Sequence, residues 1–302
     1  EEMMKTGPRK TTMTTTTASQ HHLRQVFIEN FTAADIAEPL ASFDASTSAT
    51  DVLAVMTRRA YKVAGIRKDG TICGYVRRDE LVQGACGDVL HPFEEGEVVA
   101  DSLGFPELVR RLNDRPRLFV NVLGQVGGIV TKTDLQKPPV RMWLFGMITI
   151  IEMGLTRLIE AAYPAGSWRP CLSEGRLKKA ETLLEERKRR NQDLDLLDCL
   201  QFSDRGQIVL RNEELRTKAG FVSRSRGEQT VKELEALRNN LAHSQDIIAC
   251  DWDIIVKLTE YLDRFFGSPT VPAATTAIRR QGSLPFCGGC SRAEKPSLPE
   301  TE

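Results

Sequence analysis

Asp69-Gly70-Thr71-Ile72-Cys73-Gly74-Tyr75-Val76 and Leu123-Gly124-Gln125-Val126-Gly127-Gly128-Ile129-Val130 decide the fold of the first half, because both run Gly-x-x-x-Gly into a pair of large side chains. Such an echo marks an internal repeat, and residues 28–137 hold both copies. In each copy a short apolar strand, residues 63–66 or 118–122, reaches a glycine-bearing turn and returns as a second strand. An amphipathic helix precedes each strand pair. Residues 49–60 place Val52, Leu53 and Met56 on one face, and residues 105–113 do the same with Leu108, Val109 and Leu112. A polar segment that begins another helix follows each second strand.

The second copy continues as Gly128-Ile129-Val130-Thr131-Lys132-Thr133-Asp134-Leu135. This resembles the Gly-apolar-apolar-Ser/Thr-x-x-Asp ending of the cystathionine-β-synthase-type (CBS) repeat, over roughly a third of the chain. The resemblance implies two units paired into a compact module that commonly binds an adenine nucleotide (AMP, ADP or ATP) as a regulatory ligand. It also assigns roles by position: the Thr131 hydroxyl meets phosphate, and the Asp134 carboxylate accepts from ribose hydroxyls. A carboxylate has room for two hydroxyl donors, and a helix start favours phosphate. Copy one departs from the pattern, with Arg77 where the hydroxyl belongs and Glu80 where the aspartate belongs. Two equivalent nucleotide sites are therefore not expected, although Arg77 or Arg78 offers charge to phosphates. The residues alone also fit a ligand-free reading, in which Thr131 caps a helix and Asp134 sits in its first turn.

After the Pro138-Pro139 pair, which reads as the joint, the pattern turns helical to about residue 266. A first long helix covers residues 140–162, with Leu144, Met147, Ile148, Ile151, Leu155 and Leu158 at three- and four-residue steps. Its most apolar run, residues 142–151, is too short to span a bilayer and is closed by Glu152, so it reads as a buried helix. A second helix covers 173–191. A short element at 194–200 and a less regular stretch through Gly220 lead to a helix at 228–243. The last helix, residues 252–266, takes Asp251 as its N-cap.

The penultimate helix ends in Arg238-Asn239-Asn240-Leu241-Ala242-His243. His243 is the only histidine in the C-terminal half, since His21, His22 and His91 all lie in the first third. Residues 140–267 resemble the higher eukaryotes and prokaryotes nucleotide-binding (HEPN) family through this Arg-Asn-x-x-x-His motif late in a helical domain. The resemblance implies a metal-independent endoribonuclease, usually dimeric, with Arg238, Asn239 and His243 as its catalytic residues. On the helix itself, Val231, Leu234, Leu237 and Leu241 form the apolar stripe, while Asn239 and His243 share another face. Arg238 and His243 are about 140° apart around the axis, so one chain cannot easily aim both at one phosphate. A two-fold dimer brings both pairs around one cleft. There two histidines act as base and acid for attack by the RNA 2′-hydroxyl, with arginines on the phosphate oxygens and no metal. The alternative is that Arg238 and His243 are solvated residues, His243 being favourable near a helix C-terminus.

Composition bounds the rest. Basic and acidic residues balance at 41 each over 302 residues, so any nucleic-acid contact must come from a local patch. Arg187 to Arg190 with Arg211, Arg216, Lys218, Arg224 and Arg226 is such a patch, diluted by Glu181, Glu185 and Glu186 to what reads as a solvated helix face. Seven scattered cysteines read as free thiols in a reducing compartment, and Cys287 and Cys290 as an incidental pair. Residues 1–20 lack the apolar core of a secretory signal, which leads to a cytoplasmic expectation without membrane contact. Trp143, Trp168 and Trp252 are read as core or interface residues.

The sequence thus predicts an α+β chain: a disordered segment at 1–27, tandem CBS-like α/β repeats at 28–137, an all-α HEPN-like helical bundle at 138–267, and a disordered tail at 268–302. The function it predicts is an adenine-nucleotide-responsive homodimeric endoribonuclease acting on RNA. The alternative is a non-catalytic regulatory protein whose helical domain only dimerises or binds a partner.

Overall fold

Both repeat turns carry positive φ at their two central residues: Asp69 (52°) and Gly70 (78°), then Leu123 (53°) and Gly124 (87°). Two-residue hairpin loops of this hand match the twist of their strands and favour glycine in the second position. They join β3 (Val63–Lys68) to β4 (Thr71–Arg77), and β7 (Arg117–Val122) to β8 (Gln125–Thr131). Both hairpins carry a register shift at the same place, between Ile66 and Arg67 and between Val120 and Asn121. The computed structural model describes residues 26–27, 30–243 and 246–267. The tail at 268–302 with Cys287 and Cys290, His21 and His22, and nearly all of the 1–27 segment lie outside the described residues.

A helix bridges two parallel strands in each copy. β2 (Ser42–Asp44) runs through α1 (Ala49–Arg58) to β3, and β6 (Val98–Ala100) runs through α2 (Phe105–Asp114) to β7. The fourth strand of each sheet comes from the segment leading into the other copy. β1 (Glu38–Pro39) pairs antiparallel with β8, and β5 (His91–Pro92) with β4, giving sheets ordered β1-β8-β7-β6 and β2-β3-β4-β5. This exchange interlocks the copies. Gly74 is required by it, because a Cβ there would lie 2.3 Å from the His91 carbonyl oxygen.

Between the sheets Leu40, Tyr75 and Phe119 form a small shared core against Phe93 and Ile129. Copy one has its own core around Val52, Met56, Ile66 and Val76. Copy two does not close on itself: Phe105, Leu108, Leu112, Val120 and Leu135 belong to one cluster with the helices that follow.

Those helices are α3 (Pro138–Ala162), α4 (Glu174–Arg189), α5 (Phe202–Arg211), α6 (Glu213–Lys218), α7 (Arg224–Ala242) and α8 (Ile247–Gly267). α3 is the one helix among the described residues long and apolar enough to cross a bilayer. It serves as the spine of the core instead, with Trp143, Leu144, Met147, Ile148, Ile151 and Leu155 fully buried. The ring of Trp143 meets Phe105 of α2 edge-on at 5.7 Å, which ties the spine to the second repeat. Trp168 is buried as well.

Several expectations are corrected. Pro138 and Pro139 are not a joint between separate bodies; they occupy the first turn of α3, where a missing N–H costs nothing. The core runs unbroken past them. The stretch expected to be irregular before Gly220 holds α5 and α6. A Cβ at Gly206 of α5 would lie 2.6 Å from Val231, and one at Gly227 of α7 would lie 2.2 Å from Leu210. The two glycines let α5 and α7 cross closely. α7 begins at Arg224, not 228, capped by the Ser223 hydroxyl, which accepts from the Arg226 N–H. α8 begins at Ile247, so Asp251 is no N-cap; it lies inside the helix at 3% exposure.

Candidate ligand cleft and helical motif

A cleft of about 730 Å³ opens where the approach to β3 in copy one faces the approach to β7 in copy two. Its floor is apolar, from Leu40, Ala41, Val63 and Ile129. Its rim carries the cations Lys62, Arg115, Arg117 and Lys132 and the carboxylates Glu38, Asp114 and Asp134. Tyr61 stands at the edge with 40% exposure, a ring open to stacking. Thr131 and Asp134, singled out by sequence, both line this cleft.

Their local geometry is also a helix cap. Asp134 Oδ2 accepts from the Thr131 backbone N–H and hydroxyl, both at 2.8 Å, at the start of a short 3₁₀ turn. Asp134 Oδ1 pairs with Lys137 Nζ at 2.9 Å. Lys137 also reaches Glu38 and the Ile36 carbonyl. Burial alone would lower the Lys137 ammonium, but the hydrogen bonds it donates to Glu38 and Asp134 outweigh it and raise its pKa. A carboxylate offers about four acceptor sites, and three are filled here, so Asp134 has room for one further hydroxyl without rearrangement. The Thr131 hydroxyl must turn away from Asp134 before it can donate to phosphate.

Sequence reasoning missed Tyr61, Lys62, Arg115 and Arg117. The repeat itself held part of the signal, since Tyr61-Lys62 and Arg115-Pro116 stand at the same point before each hairpin, with Arg117 in the place of Val63. Arg117 lies over Tyr75, its Cζ 4.8 Å from the ring centroid. Its Nε is buried with no hydrogen-bond partner among the described residues. At the corresponding corner of copy one, Glu80 pairs with Arg77 at 3.4 Å and with His91, whose ring stacks on Tyr75 at 5.4 Å.

In the helical half, Val231, Leu234, Leu237 and Leu241 of α7 are buried as expected, and Asn239 and His243 are exposed one turn apart. Arg238 turns the other way, its Nη2 3.6 Å from Glu152 Oε2 on α3. Within one chain Arg238 and His243 are not brought together. Asn240 points at α8, donating to Asp251 Oδ2 at 2.8 Å. Arg141 of α3 covers the end of α7 by donating to the Asn240 and Leu241 carbonyls. Part of the basic patch noted in sequence is paired with neighbouring carboxylates: Arg216 with Glu213, Lys218 with Glu214 and Arg224 with Glu228.

No protein-family model matches the chain, and no curated protein does. Several solved structures do. The CBS domain of a bacterial CNNM/CorC family Mg2+ transporter in complex with ATP is 17% identical over 40% of this chain and 94% of its own, at TM-score 0.32. The CBS-pair protein CBSX2 from Arabidopsis thaliana is 22% identical over 35% of this chain and 91% of its own, at TM-score 0.31. CBSX2 in complex with AMP is 23% identical over 35% and 92%, at TM-score 0.30.

Proposed function

We propose that residues 30–137 are a CBS-type sensor pair that binds one adenine nucleotide in the cleft and regulates the helical half. The observation that carries this reading is the convergence of Thr131, Asp134 and four cationic side chains on one apolar-floored cleft of about 730 Å³. The floor and Tyr61 suit a base, the free acceptor site of Asp134 suits a ribose hydroxyl, and Lys62, Arg117 and Lys132 suit phosphate. Arg77 and Glu80, paired with each other where copy two has Thr131 and Asp134, favour one site over two. Titration calorimetry of the full chain with AMP, ADP, ATP, GMP and adenosine tests it. One adenine nucleotide bound per chain, and bound more weakly by Asp134→Ala, supports the reading; no nucleotide binding removes it.

The exposed pair Asn239 and His243 on α7 favours a second reading. In a homodimer that sets two such helix ends face to face, His243 from each chain serves as base and acid for metal-independent RNA cleavage, with Arg238 swung from Glu152 to the phosphate. Cleavage of single-stranded RNA in excess chelator, abolished by His243→Ala and by Arg238→Ala, supports this nuclease. Inertness of the wild-type dimer on varied RNAs leaves a helical half that docks partners.

A further inference from the structure

Lys132 lines the cleft, yet its ammonium is engaged from outside. Nζ lies 4.5 Å from the ring centroid of Trp252 on α8, and 3.4 Å from the Asn113 carbonyl oxygen. The same indole donates its Nε1–H to Asn113 Oδ1 at 3.0 Å. Asn113 and Lys132 both belong to the cleft wall, so one side chain of the helical half holds two groups of the ligand site. A few residues on, Gln136 ties the same short turn to the start of α8. Its amide bonds Asp246, and its Oε1 accepts from the Ile247 N–H at 3.3 Å. Next to Trp252, Asp251 holds Asn240 beside the exposed residues of α7.

We propose that Trp252 is a latch that withholds Lys132 from the cleft, and that a phosphate-bearing ligand releases it by drawing the ammonium off the indole. The proposal rests on the cleft reading above and adds how that site is regulated. A phosphate oxygen forms a charge-assisted hydrogen bond with an ammonium, which is a stronger partner than an aromatic face at a partly exposed site. Moving Lys132 strips Trp252 of its cation and so removes one of the ties between α8 and the second repeat, beside Gln136, the Asn113 bond and the burial of Ile247 in the shared core. Linkage makes the effect reciprocal: what the ligand does to the latch, loss of the latch does to ligand affinity.

The test uses the full chain with AMP as charged probe, adenosine as its uncharged control and inorganic pyrophosphate as bare phosphate. Affinity is read by calorimetry, and amide exchange is followed over residues 247–253. AMP speeds exchange there and adenosine does not. Trp252→Leu binds AMP about two- to five-fold more tightly, the range of one such contact, with adenosine unchanged. Trp252→Phe, which keeps a ring, is the folded control and gives a smaller gain. Lys132→Met binds AMP more weakly than wild type, keeping part of the preference over adenosine through Lys62 and Arg117, and shows no exchange response. AMP binding that is equal in wild type and Trp252→Leu, or that leaves exchange unmoved, overturns the latch but not the cleft. Failure of all three probes to bind wild type overturns both.

Discussion

Arg205 and Glu152 meet at 2.8 Å in the middle of the helical half, the guanidinium only 7% exposed and the carboxylate 18%. Burial lowers the Arg205 pKa, and the Glu152 charge is the first influence opposing that. Arg205 also donates to the Leu200 and Leu197 carbonyls, so one buried cation pins the loop before α5 to α3. Arg238 touches the other oxygen of Glu152 from a much more open position, 38% exposed.

The two arginines should therefore respond very differently to loss of a partner. Glu152→Ala leaves Arg205 buried and unpaired and is expected to cost about 3–5 kcal/mol. Arg238→Ala removes a long, partly screened contact and is expected to cost about 0–1 kcal/mol. Urea denaturation of both variants checks this, and comparable losses would refute the assignment. A small loss for Arg238→Ala also makes it a clean probe of RNA chemistry, since any missing activity would not reflect unfolding.

Glycine substitutions should split by what each Cβ meets. Gly206→Ala places a methyl 2.6 Å from Val231 at the crossing of α5 and α7, and about 1–3 kcal/mol of destabilisation is expected. Gly175, in the first turn of α4, meets nothing within 4 Å. Gly175→Ala should stabilise by about 0.4–1 kcal/mol through the unfolded chain. Thermal melts of the pair provide the comparison; the same sign for both would contradict the close helix crossing.

These glycines also show where sequence reasoning stopped. The repeat was legible because hairpin glycines and short apolar strands are local signals, and so were α3, α4 and the buried stripe of α7. α5 was not, because the contact that fixes it, Gly206 against Val231, joins segments distant in sequence. Asp251 before Trp252 had the chemistry of an N-cap, and only the packing of α8 on α7 turns it into a buried acceptor for Asn240. In the cleft, Thr131 and Asp134 stood out through their spacing, whereas Arg117 and Trp252 matter through contacts that cross from one copy or one half to another. Contacts of that range leave no periodic trace.

Acid should weaken the second repeat through Glu107 of α2. Hydrogen bonding from Arg111, helped by Arg110 and opposed by burial, holds its pKa below the usual carboxylate value. A depressed folded-state pKa gives stability that is present above the unfolded value, near 4.3, and lost as pH falls through the folded one. Glu107 is 39% exposed, so screening limits the gain to less than about 1 kcal/mol. The melting temperature of Glu107→Gln should lie below wild type at pH 7, with the gap closing toward pH 3. A gap that widens in acid would reverse the sign of the linkage.

Asp134 has two roles, and a second capping box separates them. Outside the cleft, Asp35 Oδ2 accepts from the Thr32 backbone N–H at 2.7 Å and from its hydroxyl at 3.3 Å, the same arrangement as Thr131 and Asp134. Asp35→Ala and Asp134→Ala each remove a cap partner and should each cost about 1 kcal/mol. Asp134→Ala should cost somewhat more, because Lys137 loses one of its two carboxylates. Only Asp134→Ala should weaken AMP binding, by about tenfold or more, the scale of a hydrogen bond to a charged group. Measured by melting and calorimetry side by side, a stability loss in both variants with AMP affinity lowered only at Asp134 would assign the carboxylate to the ligand. If affinity fell equally in both, or in neither, Asp134 would be a cap alone and the cleft would have to bind through its cations.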